Sequence, residues 1–127
     1  MRYDKGRQPA RARGYDTRWE KASATFKRHN PLCRGCLALG RSTATAVVDH
    51  VEPHKGDQAK FWNTALWQPS CRWHHDAIKP RLERLFEVGE AKLADLWLDS
   101  PMAMALAKKH PARQTLGANG WPVAGGG

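Results

Sequence analysis

Two pairs of soft metal ligands share one spacing in this chain, Cys33-Arg34-Gly35-Cys36 and Cys71-Arg72-Trp73-His74. Thiolates and imidazoles separated by two residues suit the tetrahedral shell of zinc, and the repeated spacing makes a Cys3His set of Cys33, Cys36, Cys71 and His74. His75 offers the second pair a ligand one residue further on. Between the pairs lies Val47-Val48-Asp49-His50-Val51-Glu52-Pro53, where an apolar alternation carries a carboxylate and an imidazole, side by side, into a bend. With Cys71 and His74 tethered to the same zinc as the first pair, His75 returns to the neighbourhood of Asp49 and His50. Asp49 and His75 are then candidate ligands of a second, catalytic divalent ion. His50, whose ordinary pKa is close to neutrality, is the candidate general base for an attacking water.

These residues need a scaffold. An alternating strand is expected over 46–51, turning back through Pro53 and Gly56, and Gly35 is read as the residue that gives the first ligand pair its backbone freedom. Asp16 or Thr17 caps a helix over 18–29, with Trp19, Ala22 and Phe26 on one face, and Asn30-Pro31 ends it. Phe61, Trp62, Leu66 and Trp67 lack strand periodicity and read as a loop and short turn covering the hairpin. A helix is expected to open over 71–78, with Pro80 interrupting or kinking it. The apolar positions of 81–98 predict one or two helices with a break at Gly89, and Ser100-Pro101 opens a short helix over 101–108.

The chain has 127 residues, enough for one domain plus tails, and a domain of that size has limited apolar surface to bury. Its 21 Lys+Arg against 12 Asp+Glu give a formal charge of +9. That excess favours a polyanionic partner, nucleic acid before an anionic membrane surface. The expected organisation is a basic arm over 1–17, a domain over 18–110 and a tail over 111–127. No run approaches the roughly eighteen apolar residues of a spanning helix, so no membrane association is expected and the location is read as cytoplasmic. Three Cys form no disulfide framework, and a reducing compartment suits thiolate ligation.

The order of motifs is Cys-x-x-Cys, then Val-Asp-His-Val-x-Pro-His-x-Gly-Asp, then Phe-Trp, then Trp-Gln-Pro-x-Cys-x-x-His-His-x-x-x-Lys. It resembles the zinc-containing HNH endonucleases of phage and prophage type, over about 19–79. The resemblance implies a small α+β fold with a ββα-metal (His-Me finger) core, a structural zinc knuckle and flanking helices. It also implies hydrolysis of DNA phosphodiester bonds with Mg2+, Mn2+ or a similar ion. Carried over by position, Asp49 and His75 hold that ion, His50 is the general base, and Cys33, Cys36, Cys71 and His74 bind Zn2+. Arg41, Lys55, Lys79 and Arg81 are candidate phosphate contacts, and His54 is a candidate further contact to metal or phosphate. Two positions depart from the pattern. His74 stands where the fourth zinc ligand is usually Cys, and Leu66 takes the place of the family's middle Asn, with Asn63 three residues earlier. Leu66 motivates a second reading, a zinc-stapled nucleic-acid-binding module without catalysis. A packaging accessory working beside a phage terminase is a third, resting on the resemblance alone.

Overall fold

Side-chain caps set where the helices begin. In a computed structural model, which describes residues 15–112, Asp16 accepts from the Trp19 backbone N–H at 3.1 Å and starts helix α1, Thr17–His29. Asp57 likewise accepts from the Lys60 N–H ahead of the single-turn α3, Gln58–Phe61. Ser100 accepts from the Ala103 N–H and opens α5, Pro101–Lys109. Of the arm expected over 1–17, residues 1–14 lie outside the described residues. Tyr15 and Asp16 belong to the fold instead, since Tyr15 packs edge-on against Phe61 at 4.9 Å. The tail expected over 111–127 lies outside the described residues from 113 onward.

The strand predicted over 46–51 is present as β1, Val47–His50, but its partner falls where the sequence predicts only a loop. Trp67–Ser70 forms β2, antiparallel to β1, with Asp49 opposite Gln68 and His50 opposite Trp67. The Val51 N–H donates to the Leu66 carbonyl at 2.8 Å and fixes the alternation of the ladder. Pro69, opposite Val48, therefore falls at a non-hydrogen-bonded position where its missing N–H costs nothing. All four β2 residues are buried, which hides the alternation that marks a half-exposed strand.

After β2 the chain turns helical and widens. His74–Ile78 is a π-turn in which the Lys79 N–H reaches back to the His74 carbonyl, and α4, Lys79–Glu87, follows with Pro80 in its first turn. Proline there lacks a hydrogen it does not need, so the disturbance expected at Pro80 is taken up one turn earlier. Val88 ends α4, and Gly89 at φ 78° provides the left-handed residue that turns the chain away. The second helix expected before residue 98 is only the 3-10 turn Leu93–Leu96. Its Leu96, with Leu98, joins Val51, Ile78, Leu82, Ala103 and Ala107 in the main apolar core. The result is a small α+β fold with a two-stranded sheet, in which α1 packs on β1, while α4 and α5 pack on each other, on the π-turn and on the 3-10 turn. No described helix is long and apolar enough to cross a membrane.

Candidate functional site

Cys33 and Cys36 flank the start of the short helix α2, Arg34–Ala38, while Cys71 ends the sheet and His74 opens the π-turn. His74 Nδ1 lies 3.6 Å from Cys33 Sγ and 3.5 Å from the sulfurs of both Cys36 and Cys71. The Cys36 and Cys71 sulfurs are 3.7 Å apart. A tetrahedron with Zn–S of about 2.3 Å and Zn–N of about 2.05 Å has N···S edges near ~3.6 Å and S···S edges near ~3.8 Å, so these donors already stand at its corners. Cys33, Cys36, Cys71 and His74 are thus positioned to hold a metal ion and fit structural zinc. The choice between His74 and His75 falls to His74, which is buried, whereas the His75 side chain is 40% exposed.

Gly35 has a different task from the one the sequence implied. Its φ is not positive, but a methyl group there would meet His74 Nε2 at 2.4 Å, so glycine is required by the imidazole lying against it. Protonation competes with ligation inside the cluster. Hydrogen bonding from Cys36, then from Cys71, holds the Cys33 thiol far below its ordinary value. Hydrogen bonding with Cys33, then with Cys36, pushes the Cys71 thiol up. Burial lowers the His74 imidazole, but hydrogen bonds and charge from Cys33 and Cys36 outweigh it and bring the pKa to about 9. Ligation therefore displaces protons, and metal affinity falls with acidity.

On the other side of β1 a cleft of about 510 Å³ is lined by Asp49, His50, His54, His75 and Glu83, with Tyr15 and Trp19 at its α1 side. His50 is only 9% exposed. Its Nε2 donates to the Phe61 carbonyl at 3.1 Å, and because a carbonyl only accepts, Nδ1 of the neutral ring carries the lone pair. Trp19 stacks on the imidazole at 5.1 Å, and Trp67 Nε1 donates to the same Phe61 carbonyl at 2.9 Å. These two contacts give the ring a fixed plane. Burial, then the charge of His54, depresses the His50 pKa to about 4.

A stability prediction follows from that depression. The unfolded chain binds a proton on His50 from about pH 6.5 downward while the folded chain refuses it until about pH 4, so this contribution is intact above the first value and lost towards the second. Between ~pH 7 and ~pH 5 wild type should lose about 2 kcal/mol of stability relative to His50→Gln, as read by urea unfolding. A difference that stays constant over that range would contradict a buried neutral imidazole.

Asp49 is held from two sides. Gln68 Nε2 donates to its Oδ2 at 2.8 Å, and Lys79 Nζ lies 3.1 Å from the same oxygen. Burial pushes the carboxyl pKa up, and Lys79 and Gln68 oppose that rise. Lys79 is 2% exposed, donates to the His50 carbonyl at 2.7 Å and pairs with Glu83 at 2.8 Å. It is a buried organiser and not the surface phosphate contact expected from sequence. His75 Nδ1 pairs with Asp76 Oδ1 at 2.9 Å, so Nε2 is the nitrogen left for a ligand. A carboxylate orienting the far side of an imidazole is the usual support for a metal-binding His. Asp49 and His75 both line this cleft, one offering a carboxylate and the other an imidazole.

Compared with family models, curated proteins and solved structures, the chain matches none.

The remaining sequence-predicted residues are scattered. Lys55 lines the mouth of the cleft in a left-handed conformation at φ 49° and lies 3.9 Å from Glu87. Arg41 donates its backbone N–H to the Cys36 carbonyl at 2.8 Å and braces the knuckle, away from the cleft lining. Arg81 is exposed on α4 and does not line the cleft either. His54 Nδ1 accepts from the Gly56 N–H at 3.0 Å, so its Nε2 carries the proton and donates to Tyr15 Oη at 2.8 Å. Leu66 packs against the main core, and exposed Asn63 caps nothing with its side chain. The Phe61 carbonyl accepts from both His50 and Trp67 and so ties its loop to β1 and β2. Sequence reasoning missed Gln68 and Phe61 as organisers of the site. A glutamine inside an apolar run was the only signal available.

Proposed function

We propose that the chain is a metal-dependent endonuclease that hydrolyses DNA phosphodiester bonds, with a ββα-metal core made by β1, β2 and the helical segment from His74 through α4. The observation that carries the reading is His50: a neutral imidazole in a fixed plane, with Nδ1 as its lone-pair nitrogen, beside Asp49 and His75 on the wall of one cleft. The charge of +9 favours a polyanionic substrate. His50 Nδ1 takes a proton from water as the water oxygen attacks phosphorus, the bond from phosphorus to the sugar oxygen breaks, and that oxygen leaves with a solvent proton. Asp49 and His75 would hold a divalent cation, which would supply charge stabilisation at the phosphate. Lys79 and Gln68 keep Asp49 in place, and Asp76 keeps His75 turned. Zinc held by Cys33, Cys36, Cys71 and His74 would pin α2 to the end of β2 and to the π-turn.

Supercoiled plasmid incubated with the purified chain and Mn2+ or Mg2+ should relax to the nicked form, and loss of nicking on chelation should be reversed by adding the ion back. Intact plasmid across Mg2+, Mn2+, Ni2+ and Co2+ would remove the nuclease reading and leave a zinc-stapled nucleic-acid-binding module.

A further inference from the structure

Another face of α1 forms one wall of a second groove, of about 580 Å³, that the proposed reaction leaves unused. Trp62, Trp67 and Phe26 supply its ring surfaces, Arg18 and Lys21 supply its cations, His29 adds a further imidazole donor, and no described Asp or Glu lines it. The Arg18 guanidinium lies 3.8 Å from the Trp62 ring centroid. A purely apolar groove accepts many ligands. One that joins ring faces and a planar cation to further positive charge, and contains no acid, selects something flat, unpaired and anionic. A duplex keeps its bases stacked inward and would offer these rings only phosphate. A single strand offers both parts: bases to the Trp62 and Arg18 planes, phosphates to Lys21 and His29.

The groove is also connected to the cleft by rings. Trp62 lies 6.2 Å from Trp19, and Trp19 lies 5.1 Å from His50. At a rise of about 3.4 Å per stacked nucleotide, roughly three nucleotides bridge that path. We infer that this groove holds unpaired bases of a single DNA strand a few nucleotides from the phosphate presented to His50. The choice of DNA rests on the nuclease reading, and the groove gives that reading a substrate class: DNA with single-stranded character beside the cut.

Fluorescence anisotropy tests this with a labelled oligo(dT) of about 12 nucleotides, a blunt duplex and an oligo(rU), all without added divalent ion. Trp62→Ala should weaken oligo(dT) binding about tenfold and leave duplex binding within about twofold. Because Trp62 also packs on its neighbours, Thr64→Glu provides a second variant. It introduces a carboxylate at an exposed lining position and should produce a comparable loss without changing zinc content or melting temperature. Arg18→Lys keeps the charge but removes the plane, and should lose several-fold on oligo(dT) alone. Equal losses on duplex and single strand, no loss in either Trp62→Ala or Thr64→Glu, or a preference for oligo(rU) would each overturn the inference. The two readings fail separately: Trp62-dependent oligo(dT) binding by a chain that never nicks plasmid removes the catalysis and leaves the groove. Nicking by a chain whose oligo(dT) affinity ignores Trp62 does the reverse.

Discussion

Stripping the metal from Cys33, Cys36, Cys71 and His74 should unfold most of the chain. The four donors join α2 to the end of β2 and the start of the π-turn, across more than forty residues of sequence between Cys33 and His74. That corner is also held by the Cys33 N–H bond to the Thr43 carbonyl at 2.8 Å, by the ion pair of Arg34 with Asp99 at 2.8 Å and by the stacking of Arg34 on Trp97. A partly exposed ion pair contributes at most about 1 kcal/mol. Structural zinc contributes about 10 kcal/mol or more in small domains whose ligands are disordered without it, against a total stability of roughly 5–15 kcal/mol. Apart from Trp73, the cluster has no apolar side chain packed on it to take over. The expected result is one zinc per chain by elemental analysis and a melting transition lowered by tens of degrees, or abolished, in strong chelator or in Cys36→Ser. A chelated protein that melts where the loaded one does would remove zinc from the account.

Replacing His50 by alanine should reduce plasmid nicking by about 10²–10⁴-fold, the range of a lost general base. Zinc content should stay unchanged, because His50 touches none of the four donors. Alanine also removes a ring packed against Trp19 and Phe61, so some stability is lost with it. His50→Gln separates the two effects: its amide fills the space and can donate to the Phe61 carbonyl, but it accepts no proton. Both variants should be equally inactive while only alanine melts appreciably lower. Nicking by His50→Gln at a rate within about tenfold of wild type would refute the assigned role.

The metal cluster was legible in the sequence because its spacing is a local property, and two ligands separated by two residues are forced close by almost any turn. Helix ends were legible for the same reason: Asp16, Gly89 and Ser100 act on the backbone beside them. β2 was not legible, since a strand buried on both faces loses its alternation and Pro69 argued against it. Lys79 was misread because a lysine becomes a buried cation only when partners distant in sequence neutralise it, here Asp49, thirty residues earlier, and Glu83. The π-turn belongs to the same class. It depends on where His74 must point, which sequence periodicity does not encode.

Gln68 places a constraint on how this chain can be shortened. Its amide nitrogen donates to Asp49 and also to the Leu96 carbonyl at 3.1 Å, and its oxygen accepts from the Leu98 N–H at 2.8 Å. One fully buried side chain thereby joins the acid of β1 to a stretch that follows α4. A fragment truncated at Glu87 would retain every proposed ligand, and the amide nitrogen its bond to Asp49, yet the amide oxygen would lose its donor, so an autonomous unit should extend at least through Leu98.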